Sequence, residues 1–141
     1  MSYKLGIVGS RVWTGKTGQV WNKKITNPKQ YVFDKMDSYT AKHGKPSLVI
    51  SGGAKGADTY GVEWAKARGI PTKEYKPDQR LINISGFRTA ALTRNTDIVN
   101  SSDRVVAFWD KKSTGTRDTL TKAKKSKKKV SYFNVGDMYV V

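Results

Sequence analysis

The residues of this chain best suited to chemistry lie at positions 51–58, where the sequence reads SGGAKGAD. The segment follows the apolar run Leu48-Val49-Ile50 and leads into an amphipathic stretch that ends at Gly69. Because glycine carries no Cβ, its backbone can turn sharply and approach a bound molecule closely. The first N–H groups of a helix are unpaired and partly positive, which favours an anion. The segment therefore predicts a phosphate site, most often for a nucleotide, although a tight turn without a ligand would use the same residues.

Two other turns carry residue types suited to the same role. Gly9-Ser10-Arg11 follows a predicted strand over residues 5–8, and residues 110–116 follow a predicted strand over residues 105–109. Ligands of open α/β sheets bind beyond the carboxyl ends of the strands, where the strand order reverses. In the expected order 3-2-1-4-5 this crevice lies between the first and fourth strands, so we expect all three turns to meet there.

Strands and helices alternate along the chain, which predicts a single α/β domain over residues 1–141 with a Rossmann-like, three-layer open sheet. The sheet is expected to be mostly parallel, with helices on both faces. The remaining strands are predicted at residues 48–50, 72–75 and 130–135, and the helices at residues 28–43, 57–68, 87–100 and from residue 113 onward. Residues 76–86 are predicted to form a loop. After the Gly136-Asp137 turn, residues 138–141 could add an antiparallel edge strand.

The composition narrows the classes of function. The chain has no cysteine and a single histidine, His43, near the end of a predicted helix, so neither zinc chemistry nor a Ser-His-Asp triad is expected. No metal site is predicted. Residues 1–9 contain no signal-peptide block, and no segment reaches membrane-spanning length. We therefore expect a cytoplasmic protein with no membrane partner.

The charge of the chain is strongly positive. Its formal net charge is +16, from 27 basic and 11 acidic residues. The segment Lys111–Lys129 is densely basic, with Asp118 as its one acidic residue. Such a field attracts polyanions, including nucleotides and nucleic acid. A solvated lysine face is the alternative interpretation, because the segment holds one arginine and no aromatic residue.

Two further motifs have competing interpretations. Residues 9–17 resemble a Walker A loop, but the motif requires a glycine where this chain has Ser10, so hydrolysis of ATP or GTP is not predicted. The pair Arg94-Asn95 precedes the fourth strand. Arg94 can reach a phosphate in the crevice with its forked guanidinium, or it can pair on the surface with a carboxylate such as Asp97 or Asp103.

In combination these motifs resemble the SLOG superfamily, most nearly its YspA type, which is similar to the Rossmann-like core of DprA. The likeness covers about residues 3–135, and residues 103–108 are a further motif on which it depends. It implies binding of a nucleotide or nucleotide derivative, such as an ADP-ribose-like molecule or a cyclic nucleotide, with no cofactor required. The predicted binding residues are Gly9, Ser10, Arg11, Ser51, Gly52, Gly53, Ala54, Lys55, Gly56, Asp58, Arg94, Asn95, Ser113, Thr114, Gly115 and Thr116.

The resemblance leaves three functions open. The first, which we favour, is a non-catalytic sensor or sponge for a nucleotide signal, such as those of anti-phage immunity. Trp13 or Trp109 would then stack on a base, although Trp109 is expected in the core. The second is LOG-type hydrolysis of the base–ribose bond, for which only Asp58 or Glu63 approximates the family's acid. The third is DprA-like binding of single-stranded nucleic acid through Lys111–Lys129. Relatives commonly form dimers, so a homodimer or higher homo-oligomer is expected.

Overall fold

A computed structural model describes residues 2–10, 21, 25–53 and 56–136. Within these residues it contains five strands and five helices. The strands are β1 (Lys4–Gly9), β2 (Leu48–Ser51), β3 (Thr72–Glu74), β4 (Arg104–Trp109) and β5 (Lys129–Asn134). The helices are α1 (Pro28–His43), α2 (Ala57–Ala67), α3 (Gln79–Ser85), α4 (Phe87–Ser101) and α5 (Thr114–Lys125). Every predicted strand within the described residues is present, with ends shifted by at most one residue.

The five strands form one parallel sheet in the order β3-β2-β1-β4-β5. This is the predicted order, and the fold is the expected Rossmann-like α/β open sheet. Its centre is β1, where Gly6 lies opposite Ile50 on one side and Val105 on the other. The reversal of strand order therefore falls between β1 and β4, as the sequence predicted.

Helices cover both faces of the sheet because its central strands are apolar on both sides. Leu5 and Ile7 of β1 pack into one core beside α1 and α2. Val8 points to the other face and packs with Ile98 of α4 and Leu120 of α5. This alternation follows from the two-residue period of a strand. The two cores hold the carboxyl ends of β1, β2 and β4 at one edge.

The helix ends follow local capping chemistry. Asn27 caps α1 and accepts a hydrogen bond from the Gln30 N–H at 3.1 Å, and Pro28 occupies the first turn. Gly44 ends the helix with a φ of +88°, a backbone conformation that favours glycine. Each of these signals is local, which is why the bounds of α1 agree with the sequence prediction.

The prediction of a loop over residues 76–86 was wrong, because helix α3 lies within it. Asp78 caps this helix and accepts a hydrogen bond from the Arg80 N–H at 2.8 Å, and Gly86 ends it with a φ of +90°. No residue of α3 is buried. Its apolar residues, Leu81, Ile82 and Ile84, span a single turn, which is too short for the repeated apolar spacing from which a helix is recognised in a sequence.

Two further predictions from the sequence were an edge strand at the end of the chain and the absence of a membrane-spanning segment. The edge strand expected at residues 138–141 lies outside the described residues. Within the described residues, none of the helices is both long enough and apolar enough to cross a bilayer.

Candidate functional site

The carboxyl ends of β1 and β4 are joined at Ser10. Its N–H donates to the Phe108 carbonyl at 2.8 Å, and its hydroxyl accepts from the Asp110 N–H at 3.0 Å. The preceding Gly9 is tightly enclosed, since an added Cβ would lie 2.5 Å from both the Ala57 Cβ and the Phe108 carbonyl oxygen. Gly9 thus allows the first residue of α2 to approach β1 and β4 closely.

The glycine turn after β2 is held by Asp58 from the first turn of α2. The buried Asp58 carboxylate accepts a hydrogen bond from the Gly52 N–H at 3.1 Å. The hydroxyl of Ser51 accepts from the Gly53 N–H at 3.2 Å. Gly53 and Gly56 have φ values of +73° and +101°, so both positions favour glycine. The N–H groups of Gly52 and Gly53 are therefore already paired within the turn.

Arg94 of α4 reaches this glycine turn across the sheet edge. Its guanidinium Nη1 donates to the Gly52 carbonyl at 2.6 Å, and its Nε donates to the Asn95 Oδ1 at 3.1 Å. A side chain at Gly52 would meet this guanidinium, since an added Cβ would lie 2.7 Å from Nη1. The Arg94 guanidinium thus lies against the glycine turn, and its contact with a phosphate stays a prediction.

Asn95 connects α4 to the start of α5. Its side chain is buried, and its Nδ2 donates to the Gly115 carbonyl at 3.3 Å and to the Asp118 carboxylate at 3.2 Å. The Oδ1 of the same amide accepts from the neighbouring Arg94, so the amide contacts the guanidinium on one side and α5 on the other. Asn95 therefore positions the guanidinium and the first turn of α5 relative to each other.

The turn between β4 and α5 is organised by Asp110 and Ser113. The Asp110 carboxylate accepts from the Lys112 N–H at 2.8 Å and from the Ser113 N–H at 2.7 Å. Ser113 then caps α5, with its hydroxyl accepting from the Thr116 N–H at 3.4 Å. Sequence reasoning did not include Asp110 among the site residues. An acidic residue at a strand end, followed three residues later by a helix-capping serine, was the available signal.

These contacts close a ring at the carboxyl edge of the sheet, which we term the edge ring. It runs from β1 through β4 and α5 to α4, then through the glycine turn to α2 and back to β1. Its members are Gly9, Ser10, Asp110, Ser113, Gly115, Asn95, Arg94, Gly52, Asp58 and Ala57. The predicted meeting of separate turns at one edge is therefore present in the structure.

The amino-terminal end of α2 lies at the edge ring. Helix α2 begins at Gly56 with no side-chain cap, whereas Ser113 caps α5. The carboxylates of Asp58 and Asp110 accept backbone N–H groups within their own turns. The N–H groups of the first turn of α2 lie at the positive end of the helix dipole. This is the part of the ring best suited to bind a phosphate.

The other predicted site residues are placed as follows. Thr114 and Thr116 lie in the first turn of α5; Thr114 is exposed and Thr116 is buried. The remaining predicted residues, Arg11, Ala54 and Lys55, lie outside the described residues, as does Trp13. The structure therefore brings together the predicted residues that it describes.

Trp109 packs within the fold, as expected. Its indole N–H donates to the Ser113 carbonyl at 3.1 Å, and its ring lies edge-on to Tyr132 at a centroid distance of 5.6 Å. The guanidinium of Arg117 lies 5.7 Å from the centre of the indole ring. These contacts give Trp109 a structural role beside the turn that begins α5.

The fold and the edge ring define a Rossmann-like α/β protein with a glycine turn at the carboxyl edge of its central strands. The model of the YspA, cpYpsA-related SLOG family matches residues 7–81, which is more than half of the chain. The chain belongs to this family. No curated protein matches it in sequence.

Three solved structures have a similar fold. DNA processing protein A (DprA) from Streptococcus pneumoniae has a TM-score of 0.67 and 18% identity, over 99% of this chain and 52% of the DprA chain. DprA from Helicobacter pylori, described as having a unique single-stranded DNA binding mode, has a TM-score of 0.63 and 22% identity, over 95% and 68% of the two chains. TM1055, a structural genomics target, has a TM-score of 0.61 and 18% identity, over 92% and 72%. The present chain thus spans about half the length of the S. pneumoniae protein.

Proposed function

We propose that this protein binds a nucleotide or nucleotide derivative at the edge ring, with a phosphate at the first turn of α2. The closure of the ring is the observation that carries this proposal, because it places a glycine turn, the positive end of the α2 dipole and Arg94 at one sheet edge. Membership of the SLOG family and the position of the strand-order reversal support the same location. A sensor or sponge for a nucleotide signal is the role that we favour.

Calorimetry with a panel of nucleoside mono- and diphosphates, ADP-ribose and cyclic nucleotides tests this proposal. Gly53→Ala is the informative variant, because the φ of +73° strains any side chain there and distorts the glycine turn. Gly44→Ala is its matched control, with a φ of +88° at the end of α1 and no atom within 4 Å of an added Cβ. Each substitution is expected to destabilise the fold by about 1–2 kcal/mol.

We expect at least one member of the panel to bind, with Gly53→Ala weakening binding about tenfold or more and Gly44→Ala leaving it unchanged. Equal effects of the two variants would mean that the glycine turn does not contact the ligand. If no member of the panel binds, the proposal is wrong.

Hydrolysis of the base–ribose bond receives no support from the two acids considered for it. The Asp58 carboxylate holds the Gly52 N–H, and the Glu63 carboxylate pairs with the Lys29 ammonium at 3.0 Å. We therefore do not propose an enzymatic activity.

Binding of single-stranded nucleic acid is a second candidate, favoured by the basic surface at the end of α5. Lys124 and Lys125 are exposed at the last turn of α5, Lys127 is exposed in the turn that follows, and Lys129 is exposed at the start of β5. The similar fold of H. pylori DprA supports the same candidate. Binding through this surface would weaken steeply as salt concentration rises.

Charge reversal tests whether the basic surface at the end of α5 binds single-stranded nucleic acid. The double variant Lys124→Glu/Lys125→Glu should abolish binding to a single-stranded oligonucleotide if this surface binds it. The control Lys42→Glu/Lys66→Glu changes the net charge equally at exposed positions on α1 and α2. Equal loss in both double variants would indicate a non-specific charge effect, and no loss in either would exclude the α5 surface.

A further inference from the structure

A groove between α4 and α5 adjoins the edge ring. Its volume is about 490 Å³, within the range of pockets that hold small ligands. Arg94 and Asn95 form part of its α4 wall, and Gly115 forms part of its α5 wall. These three residues also belong to the edge ring, so a ligand at the ring could continue into the groove without leaving the protein surface.

The α4 side of the groove is apolar and includes an exposed aromatic ring. Phe87, Ala91 and Leu92 line it, and Phe87 is 56% exposed. Phe87 and Ala91 are four residues apart, the spacing that places two side chains on one face of a helix, and Leu92 follows directly. An exposed aromatic ring beside a charged surface is the stacking platform that proteins use for unpaired bases.

The groove also carries cations. Arg88 and Arg117 line it, and Arg88 makes no hydrogen bond or ion pair with any residue that the structure describes. Arg117 donates to the Lys111 carbonyl at 3.2 Å. Arginine side chains in this setting bind phosphate oxygens and also stack on bases.

The one carboxylate in the groove lining is neutralised. Asp118 pairs with the Lys122 ammonium at 2.8 Å and accepts from the Asn95 amide at 3.2 Å. The Lys122 ammonium also donates to the Leu92 carbonyl at 2.7 Å, which ties the two helices together. The charge that the groove presents to a ligand is therefore positive.

We infer that the groove binds a second nucleoside unit, so that the ligand of this protein contains at least two linked nucleotides. One phosphate lies at the edge ring, and the base of the neighbouring nucleotide stacks on Phe87. The phosphate that links the two nucleotides faces Arg88 and Arg117. This inference rests on the proposed function, since it extends the ligand bound at the edge ring.

The test compares adenosine 5′-monophosphate, the linear dinucleotide pApA and an eight-residue single-stranded oligoadenylate by calorimetry. Stacking of one base corresponds to roughly a 5- to 150-fold gain in affinity. We expect pApA to bind more tightly than the mononucleotide by a factor in this range. Phe87→Ala should remove the gain and leave the affinity for the mononucleotide unchanged.

Ile84→Ala is the matched control, because Ile84 is 83% exposed on the neighbouring helix α3 and does not line the groove. Gly115→Leu provides a second test of the groove. An added Cβ at Gly115 would have no atom within 4 Å, so a larger side chain there narrows the groove without disturbing the core. We expect Gly115→Leu to weaken pApA binding, and Ile84→Ala to leave it unchanged.

Equal affinities for the mononucleotide and pApA, both insensitive to Phe87→Ala, would overturn the inference and leave the proposed function intact. Failure of all three probes to bind would overturn both. Sedimentation of the parent and of Phe87→Ala measures their oligomeric states and so tests whether a second copy of this chain occupies the groove. A dimer that dissociates in Phe87→Ala, with pApA binding unchanged, would assign the groove to a second copy of this chain and also overturn the inference.

Discussion

The substitution Gly9→Ala tests how closely the elements of the edge ring must approach one another. The added methyl group would lie 2.5 Å from the Ala57 Cβ and 2.5 Å from the Phe108 carbonyl oxygen. Ordinary contacts between non-bonded carbon atoms lie at about 3.5–4.0 Å. One of the two neighbours is backbone, which cannot rotate away, so either α2 or the end of β1 has to move.

Overpacking in a core costs about 1–3 kcal/mol, and the two simultaneous clashes at Gly9 place this substitution near about 3 kcal/mol. For a chain of 141 residues, the entropy of unfolding is roughly 0.3 kcal/mol/K, so the melting temperature should fall by about 10 °C. Because the first turn of α2 would move away from β1, we also expect nucleotide affinity to fall at temperatures where the variant remains folded.

Thermal unfolding followed by circular dichroism measures the loss of stability. Gly115→Ala is the control, since an added Cβ at this helical glycine meets no atom within 4 Å. Alanine is favoured over glycine in helices by up to about 1 kcal/mol, so this control should melt at the parent temperature or slightly above it. A Gly9→Ala variant that melts within about 2 °C of the parent would refute the close approach deduced from the structure.

Three further predictions concern hydrogen bonds and pH. Asp58→Ala leaves the buried Gly52 N–H without its carboxylate acceptor and should lower the free energy of unfolding by about 1–3 kcal/mol in urea titrations, whereas Asp58→Asn, which retains an acceptor oxygen, should lose less. Asn95→Ala should destabilise the fold by a similar amount and weaken nucleotide binding, while an undiminished affinity would contradict its positioning role. Desolvation and the nearby charge of Arg104 hold the pKa of His43 below its usual value of 6.5. As the pH falls, the unfolded chain therefore takes up this proton before the folded protein does, so the free energy of unfolding should decrease from pH 6.5 down to the lower folded pKa. In His43→Gln the urea midpoint should depend less on pH over that interval.

Much of the fold could be predicted because its signals are local. The apolar run of residues 105–109 indicates a strand buried on both faces, and Asn27 with Pro28 marks the start of α1. Helix α3 was missed because its apolar residues, Leu81, Ile82 and Ile84, span a single turn and give no extended hydrophobic pattern. Its capping residue, Asp78, was visible in the sequence but was insufficient without that pattern.

The candidate site was only partly predictable for a different reason. The residues of the three turns were recognised from their types, but the partners of those residues belong to distant parts of the chain. Arg94 bonds to the Gly52 carbonyl 42 positions away, and the Ser10 hydroxyl accepts from Asp110, 100 positions away. Asp110 was missed as a site residue for this reason.

The amino-acid sequence by itself determined the class of fold, the strand order and the three turns that lie at one edge of the sheet. These properties depend on hydrophobic period, capping residues and glycine, all of which act over a few neighbouring positions. The tertiary structure alone decided that Asp58 holds the glycine turn, that Asn95 joins Arg94 to α5, and that a cationic groove adjoins the ring. Hydrogen-bond partners and the space between two helices depend on how distant segments pack, and no local pattern specifies that distance.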